Sequence, residues 1–258
     1  MRIQPSEPYH SLAPLYDQLM SHVDYAMWAD HVRELWRRHA TGPVACAYDA
    51  ACGTGRLLEA LDDADLRLAG SDGSSAMLEL ARKRLPRRIA LERMDLRLMH
   101  GQGQWDAVSC LYDSLNYLIH PRELRQALGG LRSQVKPGGL VLFDICTQRN
   151  SVTHFRDRTE RGQALGMDWE RHSWYEKGVR LHHNDFLVED ERSGHRWAES
   201  HHQRIYEVEA VATLAREAGL EEVARYADFT LRPGGEDADR VHFVTRRPLV
   251  DASAGELS

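Results

Sequence analysis

Apolar residues recur with two different periods along the chain, and the changes of period divide it into segments. Residues 11–39 carry apolar positions at helical spacing, which predicts two helices with a break near residues 22–26. Between residues 44 and 144, short apolar runs alternate with helical patterns. Strands that alternate with helices at short spacing indicate a parallel sheet that is covered on both faces.

Beyond residue 144 the apolar residues follow a period of two. Three such runs lie within residues 168–206, and the turn residues between them predict an antiparallel meander inserted over the parallel sheet. A helix and two strands are predicted within residues 207–247. Residues 1–10 and the polar residues 248–258 carry no such pattern, so we expect both ends to be loosely ordered.

The most informative stretch runs from Val44 to Gly55, with the sequence VACAYDAACGTG. An apolar run ends in the acid Asp49, and a loop with two glycines leads into a helical pattern. Such a strand, turn and helix are typical of the first unit of a nucleotide-binding α/β sheet, where ligands bind at the carboxyl ends of the strands. The next two strands also end in acids, Asp72 and Asp95. Asp72 follows the glycines at about the offset expected of an acid that binds ribose hydroxyls.

The glycine loop differs from the dinucleotide-binding fingerprint G-x-G-x-x-G. Leu58 stands where the third glycine is needed. Asp49 would also repel a pyrophosphate at the helix N-terminus. An acid at this position favours a ligand with a cationic group, and S-adenosylmethionine carries an ammonium and a sulfonium but no phosphate. The residues therefore favour this ligand over a nicotinamide dinucleotide.

The composition narrows the class of partners. A net charge of −6 argues against a general nucleic-acid partner, because such a surface repels phosphates. The four cysteines form no C-x-x-C pair, so a zinc ribbon or a thioredoxin motif is absent. The chain begins without an apolar signal segment and has no run of membrane-spanning length. We expect a reduced, cytoplasmic protein without a membrane partner.

On these residues the chain resembles the class I S-adenosylmethionine-dependent methyltransferases, and within them the enzymes that methylate a nitrogen or an oxygen of a small molecule. The stretch from Asp49 to Gly55 resembles their first signature. Asp72 resembles their ribose-binding acid, and Asp95 the acid beside the adenine amino group. Further matches are the fourth strand with its following loop and the turn before the fifth strand, which are residues 105–118 and 136–139.

The resemblance implies a fold and an order of parts. The fold class is α/β, with a Rossmann-like seven-stranded, mostly parallel sheet, an N-terminal helical lid and an antiparallel β-meander insertion after strand 5. Residues 1–247 would form a single methyltransferase domain before a flexible tail at 248–258. The expected parts are the lid at 11–39, the cofactor-binding core at 44–144, the insertion at 168–206, and the C-terminal helix and strands at 207–247.

The resemblance also implies the site. S-adenosyl-L-methionine is the expected cofactor and S-adenosyl-L-homocysteine the product, and no metal is expected. The expected cofactor-binding residues are Asp49, Ala50, Gly53, Thr54, Gly55, Asp72, Gly73, Met77, Asp95, Leu96, Leu111, Tyr16 and Trp28. Methyl transfer from a sulfonium depends mainly on alignment and the exclusion of water, so a dedicated catalytic residue is not required.

On the acceptor side the candidates are Tyr16, Asp113, Asn116 and His201. Asp113 and Asn116 follow the fourth strand at the ligand edge, although Asp113 is equally a candidate helix cap. Tyr16 contacts the cofactor or the acceptor, or packs on its own helix face. If the last two meander strands form an unbulged hairpin with an even-length loop, His201 shares one face with His182 and Glu199. A histidine on that face could deprotonate an acceptor, and an exposed or structural histidine is the alternative.

The sequence leaves other functions open. An NAD-type oxidoreductase, a catalytically silent methyltransferase-like binding subunit, and an RNA or protein methyltransferase are the alternatives. The acids and glycines of the cofactor signature are all present, which disfavours a catalytically silent protein. The negative net charge of the chain disfavours an RNA substrate. A small-molecule acceptor is the expected partner, while the identity of the acceptor and the oligomeric state are not predicted.

Overall fold

The computed structural model describes residues 3–249. Its strands and helices, numbered in chain order, are β1 (Ile3–Pro5), α1 (Ala13–Leu19), α2 (Tyr25–His39), β2 (Cys46–Ala50), α3 (Arg56–Leu61), β3 (Arg67–Asp72), α4 (Ser75–Arg84), β4 (Ala90–Arg93), β5 (Trp105–Cys110), α5 (Pro121–Gln134), β6 (Val135–Cys146), α6 (Gln148–His154), β7 (Arg158–Ala164), β8 (Met167–Glu176), β9 (Leu181–Asp190), β10 (Arg196–Arg204), α7 (Val208–Glu217), β11 (Glu221–Ala227) and β12 (Arg240–Arg246). Short 3-10 turns span Leu96–Leu98 and Ser114–Tyr117.

Seven strands form the larger sheet, in the order β11-β12-β6-β5-β2-β3-β4. The strands from β2 to β6 pair in parallel, and β12 runs antiparallel to β6. β3 lies on one side of β2 and β5 on the other, so the strand order reverses beside β2. A crevice for a ligand opens at such a switch point. The predicted Rossmann-like, mostly parallel sheet is confirmed.

Both faces of this sheet are covered because its central strands are apolar on both sides. Along β6, Leu142 points into one core cluster and Phe143 into the other. Leu58 of α3 belongs to the first cluster, together with residues of α2 and α4. Leu128 of α5 belongs to the second, together with residues of α7. The helices therefore fix the sheet from both sides and leave its carboxyl edge open.

The N-terminal region forms the two helices that the periodicity predicts. α1 ends at Leu19 and α2 begins at Tyr25. The side chain of Asp24 accepts a hydrogen bond of 3.0 Å from the backbone N–H of Met27 and caps α2. The break between the helices lets α1 turn back over the carboxyl edge of the sheet.

The second sheet is larger than the predicted meander. Its order is β1-β10-β9-β8-β7, with β8, β9 and β10 in the predicted places. Residues 3–10 were expected to be loosely ordered, which is wrong for β1, since Ile3 pairs in parallel with Arg196. β7 and α6 were not predicted either. The partner of β1 lies at the far end of the chain, and β7 is mostly exposed, so neither leaves a local apolar pattern.

The hairpin of β9 and β10 is unbulged, and His201 lies opposite Asn184. His182, Glu199 and His201 therefore share the face that is turned into the protein, as predicted, and each is at most 3% exposed. The expected flexible tail falls mostly on residues 250–258, which lie outside the described residues. Within residues 3–249, no helix is both long enough and apolar enough to cross a membrane.

Candidate active site

A cavity of about 460 Å³ opens at the carboxyl edge of β2, β3 and β5, between the lid helices and β10. Eleven of the thirteen predicted cofactor residues line it, namely Asp49, Gly53, Thr54, Asp72, Gly73, Met77, Asp95, Leu96, Leu111, Tyr16 and Trp28. Ala50 and Gly55 do not line it. Ala50 is fully buried in a core cluster, and a Cβ on Gly55 would lie 2.8 Å from Cδ1 of Leu85. Gly55 therefore allows α3 to pack closely and is not placed for ligand contact.

The glycine loop approaches the cavity through its backbone. Ala51 and Gly53 both have positive φ, of 57° and 55°. A Cβ on Gly53 would meet no protein atom within 4 Å, and the residue lines the cavity. The loop thus leaves space for a ligand against its main chain.

Asp72 is held by two backbone groups at the end of β3. Its Oδ2 accepts a hydrogen bond of 2.8 Å from the N–H of Gly53, and its Oδ1 accepts one of 2.8 Å from the N–H of Ser74. Burial raises its pKa, although these two hydrogen bonds oppose the shift. Each carboxylate oxygen keeps a further lone pair, so the group can accept protons from two hydroxyls of a ligand.

Asp49 is only 4% exposed at the end of β2. Its Oδ1 accepts a hydrogen bond of 2.6 Å from the hydroxyl of Ser109. Burial raises its pKa to about 7, and the nearby charge of Asp72 adds to the shift. A positive group in the cavity would favour the ionised carboxylate. The site is therefore built for a cationic ligand.

At the other end of the cavity, Asp95 and Leu96 lie in the turn after β4. The Asp95 carboxylate caps this turn by accepting a hydrogen bond of 2.8 Å from the N–H of Arg97, whose guanidinium also lies 3.1 Å away. This position is on the same edge as Asp72, one strand further out. It suits the base of a nucleoside whose ribose lies against Asp72.

The lid is fastened to the glycine loop by a charged contact that the sequence did not reveal. The hydroxyl of Thr54 donates a hydrogen bond of 2.7 Å to the carboxylate of Asp17 in α1. Arg84 of α4 forms an ion pair with Asp17 and donates to the carbonyl oxygen of Thr54. The neighbouring residue Tyr16 lines the cavity. The position of Tyr16 in the cavity wall therefore depends on this contact.

We predict that Asp17→Ala speeds the release of a bound cofactor product by roughly fivefold, because one charged hydrogen-bond partner of the lid is lost. Stopped-flow tryptophan fluorescence, to which Trp28 in the cavity wall contributes, would measure the release of S-adenosylhomocysteine. The control is Asp30→Ala, whose side chain is 81% exposed on α2. Equal release rates in Asp17→Ala and the wild type would contradict a fastened lid.

Four of the five tyrosines that line the cavity come from the N-terminal segment, α1 and the loop after β5, namely Tyr9, Tyr16, Tyr112 and Tyr117. The rings of Tyr9 and Tyr16 meet edge to face, with their centroids 5.7 Å apart. Burial raises the pKa of all four phenols, so they are neutral. Tyr9 and Tyr112 were not predicted as site residues. The only available signal for Tyr112 was its position directly after the fourth strand.

The structure does not support two of the acceptor-side candidates. Asp113 pairs with Arg240 at 2.7 Å and accepts a hydrogen bond of 2.5 Å from Gln203. Asn116 is fully buried, where its amide donates to the carbonyl oxygen of Arg204 at 2.7 Å and accepts from the N–H of Cys146 at 3.0 Å. Both residues connect the loop after β5 to neighbouring strands, and neither lines the cavity.

His201 also lies outside the cavity wall. It is 2% exposed, and Tyr117 stands between it and the cavity, with its hydroxyl 3.0 Å from Nδ1. Tyr16, the remaining candidate, lines the cavity. Within residues 3–249, no three His, Cys, Asp or Glu side chains are arranged to hold a metal ion.

Comparison with known proteins agrees with this geometry. A family model described as a methyltransferase domain matches residues 47–139. The chain is 27% identical over 244 residues to YqeM of Bacillus subtilis (strain 168), with 93% of this chain and 97% of that protein covered. It is 33% identical over 135 residues to the dTDP-3-amino-3,6-dideoxy-alpha-D-glucopyranose N,N-dimethyltransferase of Streptomyces fradiae, covering 52% of each chain.

The fold is also found among solved structures. An S-adenosylmethionine-dependent methyltransferase from Clostridium acetobutylicum ATCC 824 superimposes with a TM-score of 0.77 and 22% identity, over 93% of this chain and 99% of that chain. The family match covers the glycine loop and all three acids at the strand ends. The residues present fit the expected cofactor, with Asp49 for a positive group, Gly53 for close approach and Asp72 for hydroxyls. Residues 47–139 thus carry a methyltransferase domain, and the chain transfers a methyl group from S-adenosylmethionine to a small molecule.

Proposed function

We propose that the acceptor atom is a nitrogen, the amino group of a small hydroxylated molecule such as an amino sugar. The observation that carries this proposal is the wall of four neutral phenols, Tyr9, Tyr16, Tyr112 and Tyr117. The electron-rich faces of phenol rings attract a cationic ammonium, and their hydroxyls both donate to and accept from sugar hydroxyls. The Streptomyces fradiae relative, named as an N,N-dimethyltransferase of an amino sugar nucleotide, supports the same class.

The charges of the cavity disfavour an acidic acceptor. Of the arginines that line it, Arg97 lies beside Asp95 at the far end, and Arg56 lies over the ring of Tyr25, 5.1 Å from its centroid. Arg240, behind the loop after β5, is neutralised by Asp113 and Asp144. Each of these arginines already has a partner, either a carboxylate or an aromatic ring, which disfavours a carboxylate acceptor such as glycine.

Each part of the cavity has a role in the proposed reaction. When bound, S-adenosylmethionine supplies a methyl group that its sulfonium has already activated. We propose that Asp72 and the glycine loop fix the donor, while the phenol wall orients the amine toward the methyl group and excludes water. Asp95 and Leu96 hold the adenine in this proposal. The four cysteines are free and buried, which supports a reducing, cytoplasmic location.

The test is methyl transfer from S-adenosylmethionine with a labelled methyl group to matched acceptors. We expect the purified enzyme to methylate the amino group of dTDP-3-amino-3,6-dideoxy-α-D-glucopyranose, with the product identified by mass spectrometry and NMR. The control acceptors are the same sugar nucleotide with a hydroxyl in place of the amine, and glycine. Methylation of the hydroxyl compound, or no methylation of the amine, would contradict the proposal.

A further inference from the structure

A continuous chain of hydrogen bonds leads from the cavity into the second sheet. The hydroxyls of Tyr9 and Tyr117, which both line the cavity, are 2.5 Å apart. The Tyr117 hydroxyl lies 3.0 Å from Nδ1 of His201, and Nε2 of the same ring lies 3.2 Å from Oε2 of Glu199. Four side chains from three separate parts of the sequence thus meet in one line.

The inner end of this chain is a buried carboxylate. The Glu199 side chain is 0% exposed. Besides His201, it accepts hydrogen bonds from the backbone N–H groups of Tyr9 at 2.9 Å and Leu12 at 2.9 Å, and from the hydroxyl of Ser11 at 2.6 Å. Burial alone would raise its pKa, but the hydrogen bonds from His201, Ser11 and Leu12 lower it below its usual value. Glu199 is therefore a carboxylate that acts only as an acceptor.

With a neutral His201 ring, this carboxylate fixes the direction of every proton in the chain. Because Glu199 only accepts, Nε2 of the neutral ring carries the proton between them, and Nδ1 is left to accept. Tyr117 then donates to Nδ1, and Tyr9 donates to the oxygen of Tyr117. The oxygen of Tyr9 keeps lone pairs that can accept a proton from a group in the cavity.

We propose that Tyr9, Tyr117, His201 and Glu199 form a proton relay that removes a proton from the acceptor ammonium before methyl transfer. This inference rests on the proposed N-methylation. Tyr9 touches the acceptor, and Tyr117 passes the proton on. His201 stores the proton, and Glu199 positions the imidazole and stabilises its cation, as the acid does in a Ser-His-Asp triad.

The proton balance is simple. One N–H bond of the ammonium breaks and an O–H bond to Tyr9 forms, while the hydroxyl protons of Tyr9 and Tyr117 each move one place along. A new N–H bond forms at Nδ1 of His201, which becomes an imidazolium. The neutral amine then forms its bond to the methyl carbon as the methyl–sulfur bond breaks, and the sulfur keeps the electron pair. After product release the proton returns along the same chain to solvent.

Phenylalanine variants test the relay through turnover. Tyr9→Phe and Tyr117→Phe remove one hydroxyl each and keep the ring. For an amine of pKa near 8, about a tenth is neutral at pH 7, so we expect either variant to lower kcat roughly tenfold at that pH. The double variant should be no slower than each single variant, because the loss of either hydroxyl alone already interrupts proton transfer along the relay. The control is Tyr175→Phe, which removes a hydroxyl on β8 that donates to Gln148 at 3.1 Å.

The pH dependence separates a relay from a merely structural role. The groups that face His201 are Glu199 on its own strand, Tyr9 from the N-terminal segment, Tyr117 from the turn after β5 and the uncharged Phe186 from β9. The deficit of Tyr117→Phe should disappear toward pH 9, since the amine then loses its proton in solution. A deficit that is constant with pH, or additive losses in the double variant, would overturn the relay. Absence of methylation by the wild type would instead count against the proposed function.

A second measurement needs no acceptor. Nitrogen NMR of the imidazole side chains, with S-adenosylhomocysteine bound, reports the protonation of His201. The relay requires a neutral ring with the proton on Nε2, and a shift of the Nδ1 signal in Tyr117→Phe. A ring protonated on Nδ1, or one that is already doubly protonated at neutral pH, would overturn the relay whatever the acceptor is.

Discussion

Asp72→Ala should raise the dissociation constant of S-adenosylmethionine by about 10- to 150-fold, which corresponds to the loss of a charged hydrogen-bond partner worth about 1.5–3 kcal/mol. The carboxylate lines the cavity and holds the N–H groups of Gly53 and Ser74 at 2.8 Å each. If Asp72 holds the ribose as proposed, its removal takes the acceptor from both hydroxyls and also frees the glycine loop. Isothermal titration calorimetry measures the change.

Two matched variants make this result specific. Asp72→Asn keeps one side-chain oxygen, so we expect an intermediate affinity. Asp65→Ala removes an exposed acid just before the same strand and should bind like the wild type. Wild-type affinity in Asp72→Ala would show that another group holds the ribose.

Asp49→Asn should have opposite effects on stability and on cofactor binding. Burial raises the pKa of Asp49 to about 7 in the folded protein, from 3.8 in an exposed group. Between these values the folded state binds more protons than the unfolded state, so this group lowers the free energy of unfolding as the pH rises through that window. Asparagine carries no charge, and the free variant should be more stable than the wild type by about 2–4 kcal/mol at pH 8.

The same variant should bind S-adenosylmethionine about tenfold more weakly at pH 8, since the cation loses its buried anion. Below pH 6 the affinities should converge, because the wild-type group is then protonated as well. Thermal denaturation without ligand and calorimetry from pH 5.5 to 8.5 measure both effects, with Asp65→Asn as the control. A variant that is less stable at pH 8, or that shows wild-type affinity there, would contradict the role given to Asp49.

The sequence predicted the cofactor side of the cavity because the signals there are local. Asp49, Asp72 and Asp95 each lie at or just after the carboxyl end of a strand, and the carboxyl ends of parallel strands meet at one edge whatever the rest of the chain does. The glycines between Asp49 and the next helix are equally local. The fold class and the identity of the cofactor could therefore be predicted from these few positions.

The acceptor side could not be predicted in the same way, because long-range contacts build it. Tyr9 reaches the cavity only because β1 pairs with β10 and because Glu199 binds the backbone of the N-terminal segment. Asp113 and Asn116 stand in the predicted loop, but strands from the far end of the chain provide partners that turn them inward. A residue at the ligand edge of the sheet can therefore be assigned to the site only when its contacts with distant parts of the chain are known.

The most direct test of the account is a crystal structure with S-adenosylhomocysteine bound. We predict that both ribose hydroxyls lie within hydrogen-bond distance of the Asp72 carboxylate, and that the adenine lies beside Asp95 and Leu96. The sulfur should face the phenol wall, with the hydroxyl of Tyr9 beside the space where an acceptor nitrogen would lie. Binding outside this cavity, or in the reverse orientation with the adenine against the phenols, would contradict the account.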